Sequence, residues 1–554
     1  MKQVEIYCHN TRSKHTYPLG TSLLEISSDL NIKLKNTVCG AFVNNQVREL
    51  SFCVVKPKNI EFFDVSHPDG IRLYVRSLIF VLYAAVKEVF PYVTLRVPRG
   101  ISNGYFCELA GFGREITDRD IELLKNKMHQ LIEKDIPFIK KNLPTPDAID
   151  HLMQEGLEDK ARLFDQKGHL FSSLYFLDNL GDYFYGHLLP STGYITNFDL
   201  MKFFDGFLIR IPKPDNFAEL QEAPVLEKLF DIFQERRSWA EIMKVNTVAD
   251  LNEFVHKKKD GYIIKIAEAL HEKKIAEIAN EIYDRNGDVR VVLVSGPSAS
   301  GKTTFSKRLG IQLAVNGLRP FQLSLDDYFV DREHTPRDEH GNFDFETLEA
   351  IDIDFFNEQL IDLMRGKEVN LPRFDFHYGK RYMNGSRMQL SSGDILIVEG
   401  IHGMNPRLLP MIDEKSIYKI FISALTQIAM DEHTYISTSD NRLIRRLIRD
   451  SKYRNYKAVE TLSRWPSVRN GEEKNIFPYQ ENADVMFNSA TLYEFGVLQK
   501  YAVPLLETVL ENQKEHIEAR RLLKFLSYFK PINDTEIPPT SLLREFLGGS
   551  SFAY

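Results

Sequence analysis

The chain has 554 residues, a length that predicts about three or four domains rather than one compact core. A hydrophobic content of 43%, a charged content of 27% and a net charge of −7 are typical of a soluble globular protein, and they argue against binding to nucleic acid through bulk charge. The longest apolar stretch, Leu78 to Val86, is about half as long as a membrane span, so the sequence predicts no membrane partner.

Residues 1–65 begin without an apolar signal region and alternate apolar and polar side chains as strands do, around one short helical segment at 22–26. This pattern predicts a small mixed sheet crossed by a helix. The cysteines show no CxxC spacing, which favours reduced, inert thiols over disulfides or zinc ligands and predicts a cytoplasmic protein. The four cysteines are Cys8, Cys39, Cys53 and Cys107.

Helical patterns dominate the next part of the chain. They run over 70–89, 117–135 and 145–163, and a segment punctuated by Gly and Pro follows at 180–195. Residues 216–287 keep a helical pattern with mixed charge, and we interpret them as a helical connector between two functional halves.

From residue 288 the pattern changes to continuous apolar runs that alternate with helical stretches. Such runs are typical of a parallel sheet covered by helices on both faces. We therefore predict a doubly wound α/β domain at 288–510, followed at 511–554 by a C-terminal helix and an irregular tail from Pro538. The apolar runs lie at 291–294, 395–398 and 417–422.

A phosphate-binding loop follows the first of these runs and opens a helix. Glycines let its backbone wrap around phosphate oxygens with the N–H groups pointing inward, and the helix N-terminus adds partial positive charge. The loop predicts ATP as a cofactor, with Lys302 reaching the β- and γ-phosphates and Thr303 holding Mg²⁺ through its hydroxyl. The expected cofactor-binding residues are Gly296, Ser298, Ser300, Gly301, Lys302, Thr303 and Thr304.

Carboxylates follow two further strands of the predicted sheet. Asp326 and Asp327 end the strand at 321–325, at the edge where ligands bind, and Asp326 is placed to accept the proton of an attacking hydroxyl. Adjacent acids at a strand end also occur as solvated caps, and the spacing alone leaves that alternative open. Glu399 follows the run 395–398 and is placed to orient a metal-bound water.

Two loops, at 343–346 and 372–376, combine aromatic and acidic side chains, which suits a flat ring and sugar hydroxyls but also suits ordinary aromatic packing. A helix at 443–450 carries arginines, whose permanent charge and bidentate geometry suit a lid over a transferring phosphoryl group. A solvated basic face fits that spacing equally well. The arginines are Arg442, Arg445, Arg446 and Arg449.

Taken in order, these segments resemble the uridine kinase and phosphoribulokinase family over residues 288–500. The resemblance implies that Asp326 is the general base and that Asp344 contacts ribose hydroxyls. The arginine-rich lid of the family falls on Arg446, Arg449 and Arg454. The segments that carry the resemblance read GPSASGKTT, LSLDDYF, NFDFETL, PRFDFHYGKR, ILIVEGI, RLIRRLIRD and FPYQENADVMFN.

The acceptor side departs from the family pattern. Uridine kinases read the pyrimidine with a tyrosine and a histidine, and those positions are Phe374 and Gly379 here, with His377 displaced by two. The identity of the phosphoryl acceptor therefore stays open. The substrate-binding residues that the resemblance implies are Asp344, Phe374, Phe376 and Arg381.

The first part of the chain resembles two other domains. Residues 1–65 look like a TGS domain, a β-grasp fold, and 66–215 look like the second additional (editing) α+β domain of threonyl-tRNA synthetase, on the segments 76–77, 85–87 and 182–193. The positions that form the metal and editing site of the synthetase cannot assemble a divalent-metal site here. They are Arg76, Phe80, Phe184 and Leu188. The resemblance implies a regulatory, RNA-binding or assembly role instead of editing.

The leading hypothesis is a P-loop nucleoside kinase that phosphorylates the 5′-hydroxyl of uridine or cytidine with Mg-ATP. Its catalytic residues would be Asp326, Lys302, Arg446 and Arg449. The first alternative is a kinase for another hydroxyl-bearing small molecule, favoured by the altered pyrimidine-reading motif. The second is an RNA- or ribosome-associated ATP-dependent regulator, favoured by the TGS-like domain. RNA contact through the N-terminal half and assembly into a homo-oligomer stay open.

Overall fold

The computed structural model describes residues 2–101, 104–213, 216–222, 228, 242–285, 287–338 and 341–553. We call residues 2–213 the N-terminal half and residues 242–553 the C-terminal half. None of the helices within these described ranges is both long enough and apolar enough to cross a membrane.

The chain begins with a mixed sheet whose strand order is β2-β1-β7-β4-β5. Strands β1 and β7 are parallel, and the other pairs in this sheet are antiparallel. Helix α1 begins at a capping box, in which Ser22 and Glu25 satisfy each other's backbone N–H groups. The predicted crossing helix and alternating strands are both present. The elements are β1 (Gln3–Cys8), β2 (Ser13–Pro18), β3 (Thr21–Ser22), α1 (Leu23–Asp29), β4 (Val38–Val43), β5 (Val47–Arg48), β6 (Cys53–Val54) and β7 (Lys58–Asp64).

The rest of the N-terminal half packs helices against two antiparallel sheets, ordered β13-β14-β9-β8 and β10-β11-β12. The helix expected at 145–163 is two helices, because Gly156 adopts a left-handed φ of +75° between them. The elements are α2 (Pro68–Val89), β8 (Thr94–Ile101), β9 (Gly104–Ala110), α3 (Asp118–Glu133), β10 (Phe138–Pro144), α4 (Thr145–Gln154), α5 (Glu158–Lys167), β11 (Phe171–Leu177), β12 (Leu180–Asp182), β13 (Asp199–Phe203) and β14 (Gly206–Arg210).

The connector expected to be helical over 216–287 is only partly so. Residues 216–222 form turns and irregular backbone, and two helices follow, α6 (Val248–His256) and α7 (Asp260–Asp284). The part of the expected connector at 223–227 and 229–241 lies outside the described residues.

A five-stranded parallel sheet forms the centre of the C-terminal half, with strand order β16-β19-β15-β20-β21. This confirms the predicted doubly wound α/β fold. Pro372 to Asp375, expected in a loop, lie instead on a strand that pairs with β18 in a hairpin. The elements are β15 (Val291–Ser295), α8 (Lys302–Val315), β16 (Arg319–Ser324), α9 (Ile353–Met364), β17 (Val369–Asp375), β18 (Lys380–Met388), β19 (Asp394–Glu399), β20 (Ile417–Ser423), α10 (Thr438–Tyr453), α11 (Ala458–Asn475) and β21 (Val485–Asn488).

The chain closes with α12 (Glu494–Glu507), α13 (His516–Leu526) and a short helix, α14 (Arg544–Leu547). The tail is more ordered than the irregular extension expected from Pro538 onward. Its apolar side chains are buried against the C-terminal half, which fixes the end of the chain close to the sheet. These side chains are Leu542, Leu543, Phe546 and Leu547.

A buried charge cluster joins the two halves. Lys160 from α5 and Asp182 from the end of β12 are fully buried, and their ammonium and carboxylate lie 2.5 Å apart. His433 and Asp431, from the loop between β20 and α10, complete the cluster at 3.2 Å and 3.7 Å from the Lys160 Nζ. Burial opposes the charge on Lys160, but Asp182 and Asp431 raise its pKa above the ordinary value. The buried ion pair of the N-terminal half is therefore completed by side chains of the C-terminal half.

Replacing Lys160 with Met should destabilise the protein, because Asp182 and Asp431 would stay buried without their cation. We expect the loss to be about 3–5 kcal/mol in the free energy of unfolding, seen as a lowered melting temperature in circular dichroism. Lys14→Met is the matched control, since Lys14 pairs with Glu5 while both side chains are mostly exposed. Equal melting temperatures for the two variants would show that the cluster does not stabilise the fold.

Candidate active site

The phosphate-binding loop leaves the C-terminal end of β15 and turns into α8. Its backbone takes a positive φ at Gly296 (+154°), Ala299 (+59°) and Gly301 (+88°). A Cβ at Gly296 would lie 2.2 Å from the carbonyl oxygen of Ile422, so only glycine fits where the loop passes β20. Alternating backbone of this kind turns successive N–H groups into one concavity that suits an anion.

Lys302 begins α8 and folds back over the loop. Its ammonium donates a hydrogen bond to the carbonyl oxygen of Pro297 at 3.1 Å. Burial lowers the pKa of Lys302, and the carboxylates of Glu399, Asp326 and Glu545 oppose that shift. The ammonium therefore lies among three carboxylates that come from three different parts of the chain.

Glu399 is the last residue of β19, and it lies beside Thr303 at the edge of the sheet. The Thr303 hydroxyl donates to Glu399 Oε1 at 3.1 Å, and the Ser324 hydroxyl approaches the same oxygen at 3.4 Å. Burial raises the pKa of Glu399 to about 7, and the charge of Asp326 adds to the shift. A carboxylate and a hydroxyl converging in this way are the hard oxygen ligands that Mg²⁺ takes beside nucleotide phosphates, so Thr303 and Glu399 fit that ion.

The two adjacent aspartates after β16 have different surroundings. Asp327 accepts the Phe374 N–H at 3.2 Å and contacts Arg373 at 3.4 Å, so it fastens the hairpin of β17 and β18 to the sheet. Asp326 lies close enough to Lys302 and Arg454 to affect the pKa of each. The charge of Asp326 therefore acts on the loop lysine, whereas Asp327 is hydrogen-bonded to the hairpin.

The arginines of α10 divide into two pairs. Arg442 and Arg445 are 1% exposed, and each forms a buried ion pair, with Glu472 and Glu494 respectively. Arg446 lacks such a buried glutamate partner among the described residues and donates to the Ser298 hydroxyl of the loop at 3.0 Å. Arg449 and Arg446 both contact Asp450, as does Arg454 at 3.7 Å. The sequence pattern did not distinguish the four arginines of this helix. In the structure Arg442 and Arg445 are held in buried ion pairs, whereas Arg446 and Arg449 contact Asp450.

Glu472, which the sequence pattern did not identify, connects the phosphate-binding loop to α11. One of its oxygens accepts the Ser298 N–H at 2.9 Å, and both accept hydrogen bonds from Arg442. Arg445 donates to the Ser489 hydroxyl at 3.0 Å and reaches the Ala299 carbonyl at 3.5 Å. No sequence signal connects these groups, because Glu472 and Arg442 are 30 residues apart on different helices.

Glu545, from α14, accepts hydrogen bonds from the first turn of α8, the helix that follows the phosphate-binding loop. Its Oε2 accepts the Thr304 N–H at 3.1 Å and the Thr304 hydroxyl at 2.7 Å. Both donors belong to the predicted phosphate-binding set. A negatively charged ligand on Thr304 must therefore displace this carboxylate, a relation that the predicted irregular tail gave no reason to expect.

Aromatic rings cluster around Phe374, whose N–H is bound by Asp327. Phe374 lies 5.6 Å from Phe329 and 5.1 Å from Phe376 between ring centroids, and it is buried. Phe376 is 47% exposed, and the Arg454 guanidinium lies 5.6 Å from its ring. The exposed Phe376 ring thus faces an arginine that also contacts the Asp450 carboxylate.

Gly379 has a structural reason to replace the histidine of the related motif. It lies in the turn between β17 and β18 with a φ of +69°, and its N–H donates to the Asp375 carbonyl at 2.7 Å. A Cβ there would come within 2.6 Å of Arg332 Nε. The tight hairpin thus requires glycine at this position.

The remaining predicted acceptor residues lie on two sides of this cluster. Asp344 accepts the Glu346 N–H at 3.1 Å, and burial raises the pKa of Glu346 to about 7 while Arg446 opposes the shift. Arg381 donates to Asp352 at 2.8 Å and lies over the Phe355 ring at 4.8 Å. The structure brings Asp344 near the arginine lid through Glu346, whereas Arg381 braces the hairpin against α9.

In the N-terminal half, the positions matching the synthetase metal ligands do come together, but with different chemistry. The Phe80 and Phe184 rings are 5.2 Å apart, and Arg76 donates to the His187 carbonyl at 2.7 Å. Among the residues that the structure describes, no group of three or more His, Cys, Asp or Glu side chains is arranged to hold a metal ion.

Comparison with known proteins assigns different relatives to the two halves. Residues 291–494 match the model of the phosphoribulokinase / uridine kinase family. The N-terminal half is similar to threonine–tRNA ligases. The ligase of Polaromonas sp. is 28% identical over 191 residues, and that of Polynucleobacter asymbioticus is 28% identical over 192 residues. Each match covers 34% of this chain and 30% of the ligase, so the chain spans less than a third of the length of these curated relatives.

Two solved structures overlap the C-terminal half at low similarity. A possible uridine kinase from Bacillus stearothermophilus is 20% identical, with a TM-score of 0.27 over 39% of this chain and 98% of that one. A D-glycerate 3-kinase from Cryptococcus neoformans var. grubii is 16% identical, with a TM-score of 0.21 over 46% of this chain and 87% of that one. These TM-scores support no conclusion of their own.

The loop geometry and the parallel sheet give the C-terminal half the fold of a P-loop kinase, and its residues 291–494 are similar to the phosphoribulokinase / uridine kinase family, whereas the N-terminal half is similar to threonine–tRNA ligases.

Proposed function

We propose that the protein transfers the γ-phosphate of ATP to the 5′-hydroxyl of a nucleoside, with uridine and cytidine as the first candidates. The observation that carries this proposal is the position of Asp326. Asp326 follows the carboxyl end of β16, its charge acts on Lys302 of the phosphate-binding loop, and the neighbouring Asp327 accepts the Phe374 N–H. A base in that position meets both the donor phosphate and an acceptor hydroxyl.

The donor half of the reaction follows from the loop. The phosphate-binding loop and Lys302 bind the ATP phosphates, and Arg446 and Arg449 neutralise charge on the group in transfer. Thr303 and Glu399 would hold Mg²⁺, which would supply positive charge to offset that of the ATP phosphates. Arg446 already contacts the loop at Ser298, so only a short movement brings its guanidinium to a phosphate there.

The acceptor half of the reaction involves Asp344 and Phe376. Asp344 is suited to a pair of ribose hydroxyls, and the exposed Phe376 ring is suited to stacking on a flat base. Phe374 is buried and Arg381 is bound to Asp352, so both support the wall of the site rather than reading a base. A kinase for another hydroxyl-bearing small molecule remains the second candidate, because Phe374 and Gly379 lack the hydrogen-bonding groups of the related pyrimidine motif.

An acceptor panel tests the proposed function. Purified protein with Mg-ATP should produce ADP in step with phosphorylated product when uridine or cytidine is added, and not with sugar phosphates or pantothenate. The readout is ADP formation in a coupled assay, with the product identified by mass spectrometry. Turnover with a non-nucleoside alone would refute the nucleoside assignment and keep the kinase, whereas ADP formation stimulated only by RNA would favour a regulatory ATPase.

The base assignment has its own test. Asp326→Asn should lower kcat by about 10²–10⁴-fold with little change in ATP affinity, because it removes the proton acceptor and keeps the shape. Asp327→Asn is the matched control, since an Asn there still accepts the Phe374 N–H and should keep most of the activity. Full phosphotransfer by Asp326→Asn, or a larger loss in Asp327→Asn, would overturn the assignment.

The contact between Glu545 and Thr304 predicts competition between the C-terminal tail and ATP. Glu545→Ala should tighten ATP binding by about tenfold in isothermal titration calorimetry, because it frees two donors and removes a negative charge near Lys302. Glu536→Ala is the control, since Glu536 pairs with Lys265 at the surface. Weaker ATP binding by Glu545→Ala would mean that this carboxylate supports the nucleotide instead of competing with it.

A further inference from the structure

A cavity of about 510 Å³ lies where the N-terminal half meets helix α13, among residues from α5, β10, β11 and α13. Its lining includes four lysine and arginine side chains and two histidines, and none of the described lining residues is an aspartate or glutamate. This bias is unusual in a chain whose net charge is −7. The cationic lining residues are Lys140, Lys167, Arg520 and Lys524, with His169 and His187.

Part of this positive charge is compensated by Glu49, a carboxylate outside the cavity lining. Glu49, which does not line the cavity, lies 3.5 Å from the Lys140 ammonium and 3.2 Å from His187 Nδ1. The Tyr175 hydroxyl also donates to Glu49. Lys140 and His187 therefore keep a carboxylate partner whether or not a ligand is present.

Lys167 and Lys524 are bound only to neutral groups in the described parts of the chain. The Lys167 ammonium donates to the Ser527 hydroxyl at 2.7 Å and lies 3.5 Å from the centre of the Tyr528 ring. The Lys524 ammonium donates to the Tyr185 carbonyl at 3.2 Å. Burial lowers the pKa of each lysine to about 8, and for Lys524 the charges of Arg76, Lys140 and Lys167 add to the shift. An anion in the cavity would pair with both ammonium groups and so raise the pKa of each lysine.

Aromatic rings supply much of the remaining wall. Phe164, Phe171, Tyr175, Tyr183, Phe184 and Tyr528 all line the cavity. The Tyr183 and Tyr528 hydroxyls are hydrogen-bonded to each other at 2.6 Å, which fixes these two rings in place. Cations together with flat apolar surfaces suit a ligand that has both a phosphate and a ring.

We propose that this cavity is a second ligand site, which binds a free phosphorylated small molecule of mononucleotide size. Its volume lies within the range of small-molecule sites, and its two lysines without carboxylate partners match the charge of one phosphate group. The net negative charge of the chain favours a small diffusible anion over a nucleic acid as the occupant. The proposal stands whether or not the kinase site uses a nucleoside.

Helix α13 gives such a site a physical connection to the arginine helix of the kinase domain. Arg520 and Lys524 line the cavity, and the intervening Arg521 forms two hydrogen bonds, at 2.6 Å and 2.7 Å, with Asp440 in the first turn of α10. A ligand that moves α13 would therefore move the element that carries Arg446 and Arg449.

The test is calorimetric titration of the full chain carrying Lys302→Ala, which removes nucleotide binding at the phosphate-binding loop. The probes are UMP, AMP and inorganic pyrophosphate, with a short RNA as a separate arm. We expect at least one of the mononucleotides to bind, and Lys167→Gln/Lys524→Gln to weaken its affinity at least tenfold.

Lys141→Gln is the matched control, because Lys141 neighbours Lys140 on β10 but lies outside the cavity lining, above the Phe176 ring. Arg520→Gln provides a second, exposed substitution that should weaken binding without disturbing the fold, which melting temperatures check. Binding that is equal in Lys141→Gln and in the double variant would overturn the proposal. So would binding by RNA alone, or no binding by any mononucleotide.

Discussion

The buried ion pair between Arg442 and Glu472 holds the phosphate-binding loop against α10, the helix that follows β20. Both side chains are at most 1% exposed, so either charge without the other would be strongly destabilising. Glu472 also accepts the Ser298 N–H, which ties the loop backbone to α11. Because Arg442 anchors α10 in the same contact, Arg446 one turn later reaches the Ser298 hydroxyl. Loop and arginines thus keep one relative position through a single ion pair.

The same principle, buried charge satisfied by a partner from elsewhere in the chain, organises the rest of the molecule. Lys160 and Asp182 of the N-terminal half meet Asp431 and His433 of the kinase half. The Glu545 carboxylate of the tail lies on Thr304 of the loop. The N-terminal half and the tail are consequently both joined to the kinase domain by buried and partly buried polar contacts. A structural change at the N-terminal cavity or at the tail could therefore be transmitted to the phosphate-binding loop through these contacts.

Local patterns predicted the parts of the structure that local patterns determine. Apolar runs located the parallel strands, the glycine spacing located the phosphate-binding loop, and strand ends located Asp326 and Glu399 at one edge. The break at Gly156 was missed because one glycine within a helical pattern is compatible with either a continuous or a divided helix. The strand at 372–375 was missed because Pro372 and the acidic Asp375 resemble loop composition, whereas Pro372 lies at an irregularity in the pairing of β17.

Other features depend on pairs that sequence spacing does not reveal. Arg442 and Arg446 look equivalent on one helix, and only the position of Glu472 makes one structural and leaves the other beside the loop. The relation of Glu545 to Thr304 joins residues 241 positions apart. The cavity between the N-terminal half and α13 likewise exists only once both are folded.

The central claim is phosphoryl transfer from ATP to a nucleoside hydroxyl at the site of Asp326 and Lys302. It is tested most directly by ³¹P nuclear magnetic resonance of the protein incubated with Mg-ATP and uridine. A new phosphomonoester signal, coupled to the two 5′-methylene protons, should grow in equal amount with ADP. Growth of ADP with inorganic phosphate as the only other product, at the same rate with and without nucleoside, would contradict it.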